Sequence, residues 1–100
     1  MQRDAIADIE IDATGQLHVV PASFTFPYIY REAMEVHWNP ERSSLYSPVP
    51  REWSYARWFE QIIAAVREQG CLLHLTASTS WRNVPESVKA EFLQVAAGHV

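Results

Sequence analysis

The sequence predicts an α+β fold in one domain spanning residues 1–100. The strands and helices run in the order ββββαβα, with a mainly antiparallel sheet covered on one face by two helices. Three observations carry this. Alternating apolar and polar residues fill much of the first half of the chain, as half-buried strands require. An apolar stripe at steps of three and four runs through Tyr55, Trp58, Phe59, Ile62, Ile63 and Val66, as a helix lying on a core requires. A second such pattern, Val84, Val88, Phe92 and Ala96, closes the chain.

The elements follow in order. Residues 5–13 alternate, with Ala7, Ile9, Ile11 and Ala13 on one side and Asp8, Glu10 and Asp12 on the other. Thr14-Gly15-Gln16 is a turn, Leu17 to Val20 return as the second arm of a hairpin, and Pro21 stops it. From Phe24 the even positions read Phe24, Phe26, Tyr28, Tyr30, Glu32, Met34, Val36 and Trp38, which predicts a long strand over 28–38 with its even face under the first helix. Asn39 to Ser43 form a turn, Leu45 and Tyr46 a short returning strand, and Ser47-Pro48-Val49-Pro50 an extended lead. The first helix covers about 53–69, with Ser54 as N-cap and Gly70 as the left-handed stop. Cys71 to Ala77 is a short apolar run, read as a strand buried on both faces; Ser78 to Trp81 is a polar loop. The last helix covers about 85–97, with Asn83 capping, Glu86 completing a capping box, and Leu93 and Val95 joining its apolar face.

Bulk properties narrow the function classes. A net charge of −4, with Lys89 the only lysine, disfavours nucleic acid and anionic lipid as partners. Cys71 is a single cysteine flanked by Leu72, which predicts a buried, inert thiol and no internal disulfide. The start of the chain has no signal-peptide core and no apolar run is long enough to span a membrane, so the cytoplasm is the default location.

Four groups of residues could carry chemistry. Asp8, Glu10 and Asp12 form an acidic row that could hold a cation or meet a basic partner; its plainer reading is the solvated face of an edge strand. Glu32 falls in phase with Tyr30 and Met34 on the face read as apolar, where a carboxylate needs a donor or shifts toward its neutral form; a bulge or a pairing arginine such as Arg57 is the plainer account. His74 sits inside the apolar run and reads first as a hydrogen-bonded core residue. His18, His37, His74 and His99 have no metal-ligand spacing, and no cofactor motif or phosphate-binding loop is present, so no metal or cofactor is expected. Trp38, Trp53, Trp58 and Trp81 exceed what a small core readily buries. Trp53 and Trp81, near Arg51 and Arg82, are the better interface candidates, with partial burial at the core's rim as the alternative.

The motifs Tyr30-Arg31-Glu32-Ala33 with Val36 and Trp38, Pro50-Arg51-Glu52-Trp53-Ser54-Tyr55 with Trp58, and Thr79-Ser80-Trp81 with Asn83-Val84-Pro85 resemble a family of small proteins carried on integron gene cassettes. The likeness covers Tyr28 to Pro85 and leaves out the N-terminal hairpin. That family has no assigned activity, so no functional residue carries over. The resemblance implies a mobile bacterial gene, a compact α+β fold and self-association.

Two functions follow as expectations. The first is a non-enzymatic interaction protein, a dimer or higher homo-oligomer or a module binding another protein, using Trp53, Trp81, Arg51, Arg31 and Tyr30. The second is a small-molecule binder or enzyme with a pocket between 28–38 and the first helix. There Glu32 would be the acid or base, oriented by His74, Tyr30 or Arg31, which requires Glu32 and His74 to face one cavity.

Overall fold

A computed structural model describes residues 1–98. It is an α+β fold with a mixed six-stranded sheet and two helices. The strands are β1 (Gln2–Ile11), β2 (Leu17–Pro21), β3 (His37–Asn39), β4 (Ser44–Tyr46), β5 (Cys71–His74) and β6 (Ser80–Arg82); the helices are α1 (Tyr55–Glu68) and α2 (Glu86–Gly98).

The strands lie in the order β3-β4-β2-β1-β5, with β6 also on β1. β1–β2, β2–β4 and β4–β3 are antiparallel. The N-terminal half of β1 pairs in parallel with β5 and its C-terminal half in parallel with β6. The long first strand is therefore central, not an edge. A register irregularity between Ile6 and Asp8 resets the alternation. Ala7, placed with Ile9 and Ile11 by simple alternation, is turned out, and Asp4 and Ile6 are buried in its stead.

The hairpin and α1 match expectation closely. Gly15 takes φ 95°, and the Ser54 hydroxyl accepts from the Arg57 N–H at 3.2 Å. Gly70 takes φ 86°, and Trp58, Phe59, Ile62, Ile63 and Val66 are buried. The stripe packs on the sheet face formed by Ile6, Ile9, Leu17, Val19 and Leu45, giving one contiguous core. α2 docks beside α1 through Phe92, whose ring stacks on Phe59 at 4.4 Å and 4°.

Five expectations need correction. The strand over 28–38 is extended only at its end. A 3-10 turn occupies Ile29–Arg31, and the buried residues are Phe26, Ile29, Ala33 and Val36, so a spacing of three and four overrides the even–odd pattern. Ser80–Arg82 is a strand, not a loop. β5 is buried on one face only: Cys71 and Leu73 point in, while His74 is exposed. Asn83 does not open α2; at φ 56° it donates from Nδ2 to the Ile11 carbonyl at 2.8 Å. Leu93, assigned to the apolar face of α2, is 48% exposed.

Candidate functional site

The face of the sheet away from the helices carries a polar row set by strand register. Arg82, Glu10, His18, Tyr46 and His37 stand opposite one another on β6, β1, β2, β4 and β3. Asp8 and Glu10 of β1 are paired with arginines there. Arg82 grips Asp8 through Nη2 at 2.6 Å and Nε at 3.1 Å and reaches Glu10 at 3.1 Å. Arg42, from the β3–β4 turn, pairs with Glu10 and approaches Asp12 at 4.0 Å. Tyr46 packs between two imidazoles, 5.6 Å from His18 and 5.5 Å from His37.

Asp12 and His18 are the fixed centre of this face. One Asp12 oxygen accepts from the Thr14 N–H at 2.9 Å, the Thr14 hydroxyl at 2.6 Å and the Gln16 N–H at 3.0 Å; the other meets His18 Nε2 at 2.8 Å. Burial by itself would raise the Asp12 pKa, but the bonds from the Thr14 and His18 side chains, then those from the Gln16 and Thr14 backbone, outweigh it. The carboxyl is held well below the usual range. His18 Nδ1 lies 2.9 Å from the Ser44 hydroxyl. In the neutral ring, Nε2 carries the hydrogen and donates to Asp12, and Nδ1 accepts from Ser44. Ser44, His18 and Asp12 have the composition of an acyl-transfer triad, yet Ser44 is 0% exposed. No substrate carbonyl can reach its oxygen, so the line of bonds is structural.

The other feature is a cleft of about 750 Å³. One wall is the loop of Glu32, Ala33, Met34 and Glu35; the other is Pro48, Val49, Arg51 and Glu52; Trp53, Trp58 and Gln61 complete it. Glu35 takes φ 67°, a left-handed conformation costly for a residue with a Cβ. Beside it Met34 is 87% exposed. The Trp53 and Trp58 rings pack at 4.7 Å and 47°, with the Arg57 guanidinium over Trp53, 4.5 Å from the ring centroid. Glu32 accepts from Gln69 Nε2 at 3.0 Å.

The structure thus brings together Glu32, Arg51 and Trp53 of the residues singled out in the sequence. Tyr30 and Arg31 precede Glu32 but do not line the cleft: Tyr30 is exposed and edge-on to Tyr28 at 6.4 Å, and Arg31 lies over the Tyr28 ring at 4.8 Å. Trp81 is elsewhere, half-buried against Phe92 at 6.1 Å with the Lys89 ammonium 5.3 Å above it. His74 is on β5, does not line the cleft, and does not meet Glu32 there. Cys71 is buried, and burial, then the Asp4 charge, push its thiol up, away from reactive thiolate. Sequence reasoning missed the roles of Arg42, Ser44 and Arg82; only the row of uncompensated acids hinted that cations must be brought to it. Among the described residues no group of three or more His, Cys, Asp or Glu side chains is placed to hold a metal ion, and no helix is long and apolar enough to cross a membrane. His99 lies outside the described residues.

No curated protein matches the chain. A solved structure from the mobile metagenome of the North West Arm sewage outfall, the integron cassette protein Hfx_Cass5, is 57% identical over 97% of this chain and 98% of its own, with a TM-score of 0.49. The likeness in sequence, rather than the superposition, carries the relationship. The family described as Integron Cassette Protein Hfx_Cass5 matches residues 4–79, which includes the N-terminal hairpin that the motif resemblance left out. The chain belongs to that family of integron cassette proteins.

Proposed function

We propose that this cassette protein is a non-enzymatic interaction protein of the bacterial cytoplasm that associates with copies of itself through the rim of the cleft. The observation that carries the reading is the apolar surface gathered there: Met34 is 87% exposed and Val49 45%, beside the half-buried Trp53. Tyr28 and Tyr30, each 54% exposed, stand on the same loop. Large apolar and aromatic side chains left in water on one side of a small protein are the material of protein interfaces. In the polar row the acids Asp8, Glu10 and Asp12 are met by internal partners, and the serine–histidine pair Ser44–His18 is closed to substrate.

Sedimentation equilibrium at micromolar concentration tests the reading. The expected result is a dimer or larger species that Met34→Asp, a change at an exposed side chain, converts to monomer without loss of helix content. A wild-type chain that stays monomeric across that range overturns it.

A further inference from the structure

Every arginine–carboxylate ion pair among the described residues lies on the polar face of the sheet, where Arg82 and Arg42 answer Asp8, Glu10 and Asp12 and His18 hydrogen-bonds Asp12. The cleft has the opposite character. Glu32, Glu35 and Glu52 meet a single guanidinium, that of Arg51, and none of the four is in an ion pair. Glu32 has one amide donor, from Gln69, on one of its oxygens. Whichever acid Arg51 swings toward, two negative charges remain. Between those charges the wall is apolar: Val49, Pro48 and the Trp53–Trp58 pair. The volume of about 750 Å³ falls within the range of clefts that hold small organic ligands. Outside the cleft lining, Arg57 rests its guanidinium on Trp53, an instance within this molecule of that ring carrying a delocalised cation.

From these observations we infer that the cleft is a binding site for a small organic cation: an ammonium or amidinium head group on an apolar body. The head group answers Glu35 and Glu52, and the body lies on Val49 and the tryptophan pair. Glu35, at positive φ, lines the cleft on the same loop as Glu32. An anion of the same shape meets net repulsion, and a neutral analogue receives only the apolar contact. The ligand body shares Val49 and Trp53 with the rim proposed for self-association, and the probes read the two apart.

The test uses three probes with one body and different heads: 4-phenylbutylammonium, 4-phenylbutanol and 4-phenylbutanoate, titrated against the intrinsic tryptophan fluorescence of the whole chain. The cation is expected to bind about tenfold more tightly than the alcohol, with the carboxylate weaker than either, as two unscreened charges at the mouth of a cleft would give. Raising the salt concentration narrows the gap. The double variant Glu35→Gln with Glu52→Gln removes the preference and leaves the alcohol's affinity in place. Glu86→Gln with Glu91→Gln, the same change in net charge made on α2, leaves the preference intact. Equal affinity for all three probes, no response to any of them, or a preference that survives the first double variant each overturns the proposal. Unchanged sedimentation of that variant separates this outcome from a failure of self-association.

Discussion

Asp12 holds together the hairpin turn and the polar face, and substitutions there separate charge from hydrogen bonding. In Asp12→Ala the Thr14 and Gln16 donors at the exposed turn can be taken up by water, at a cost of about 1 kcal/mol. His18 cannot be rescued in that way. It is 3% exposed, and with the hydrogen kept on Nε2 it loses an acceptor at 2.8 Å and faces only the Arg42 Nη1 donor at 3.2 Å. A buried donor left without a partner costs about 1–3 kcal/mol. The total is about 2–4 kcal/mol, or a fall in Tm on the order of 10–30 °C for a domain of this size. Asp12→Asn keeps most of the geometry: its carbonyl oxygen still accepts from the turn, and its amide can donate to Nε2 once the imidazole hydrogen moves to Nδ1, which then donates to Ser44. Only the charge is lost, at about 1–2 kcal/mol. Because the folded carboxyl is held below its unfolded value of about 3.9, its contribution is fully present above that value and is lost as pH falls through the folded one. Urea titrations of the three proteins from pH 7 down to about 2 should therefore show the gap between wild type and Asp12→Asn closing below about pH 4. An alanine variant within about 1 kcal/mol of wild type, or a gap that ignores pH, would refute the account.

Two further predictions concern the core. Phe92 is the fully buried anchor of α2, so Phe92→Ala should cost about 3–5 kcal/mol in urea unfolding and red-shift emission from Trp81, whose ring lies 6.1 Å away. Leu93→Ala, at a side chain 48% exposed, should stay within about 0.5 kcal/mol of wild type, and similar losses at the two positions would contradict the docking described. The Cys71 thiol is buried and pushed up, so a thiol reagent should label the native protein only as fast as it opens, with no burst as pH rises past the usual thiol range. Labelling as rapid as in urea would show an accessible thiol.

What could be read from the sequence was whatever neighbouring residues decide. α1 was legible to within two residues because its stripe, its serine cap and its terminal glycine all lie within one stretch. The hairpin was legible for the same reason. The stretch 28–38 was not, because two patterns overlap in it. Tyr28, Tyr30, Glu32 and Met34 alternate convincingly, yet Ile29, Ala33 and Val36 at steps of four and three are what the core takes. β6 is three residues long and exists by pairing with β1, 72 positions away at Ser80–Asp8 and its neighbours, so no local signal marks it. The acidic row was visible, but its meaning was set by Arg42 and Arg82, which come from 32 and 74 positions along the chain. Of the candidate site, Trp53, Arg51 and Glu32 were legible; that they face one another is a property of the loop that the alternation disguised.

The central position of β1 has a consequence for synthesis. One of its edges is satisfied by the hairpin partner that follows it, but the other waits for residues 71–82. A ribosome has to deliver most of the chain before that edge is closed, and until then the nascent polypeptide presents open backbone donors and acceptors beside Ile6 and Ile9. A reading frame cut short before Cys71 would yield a hairpin and a helix with one flank of the sheet bare, prone to stick to its neighbours.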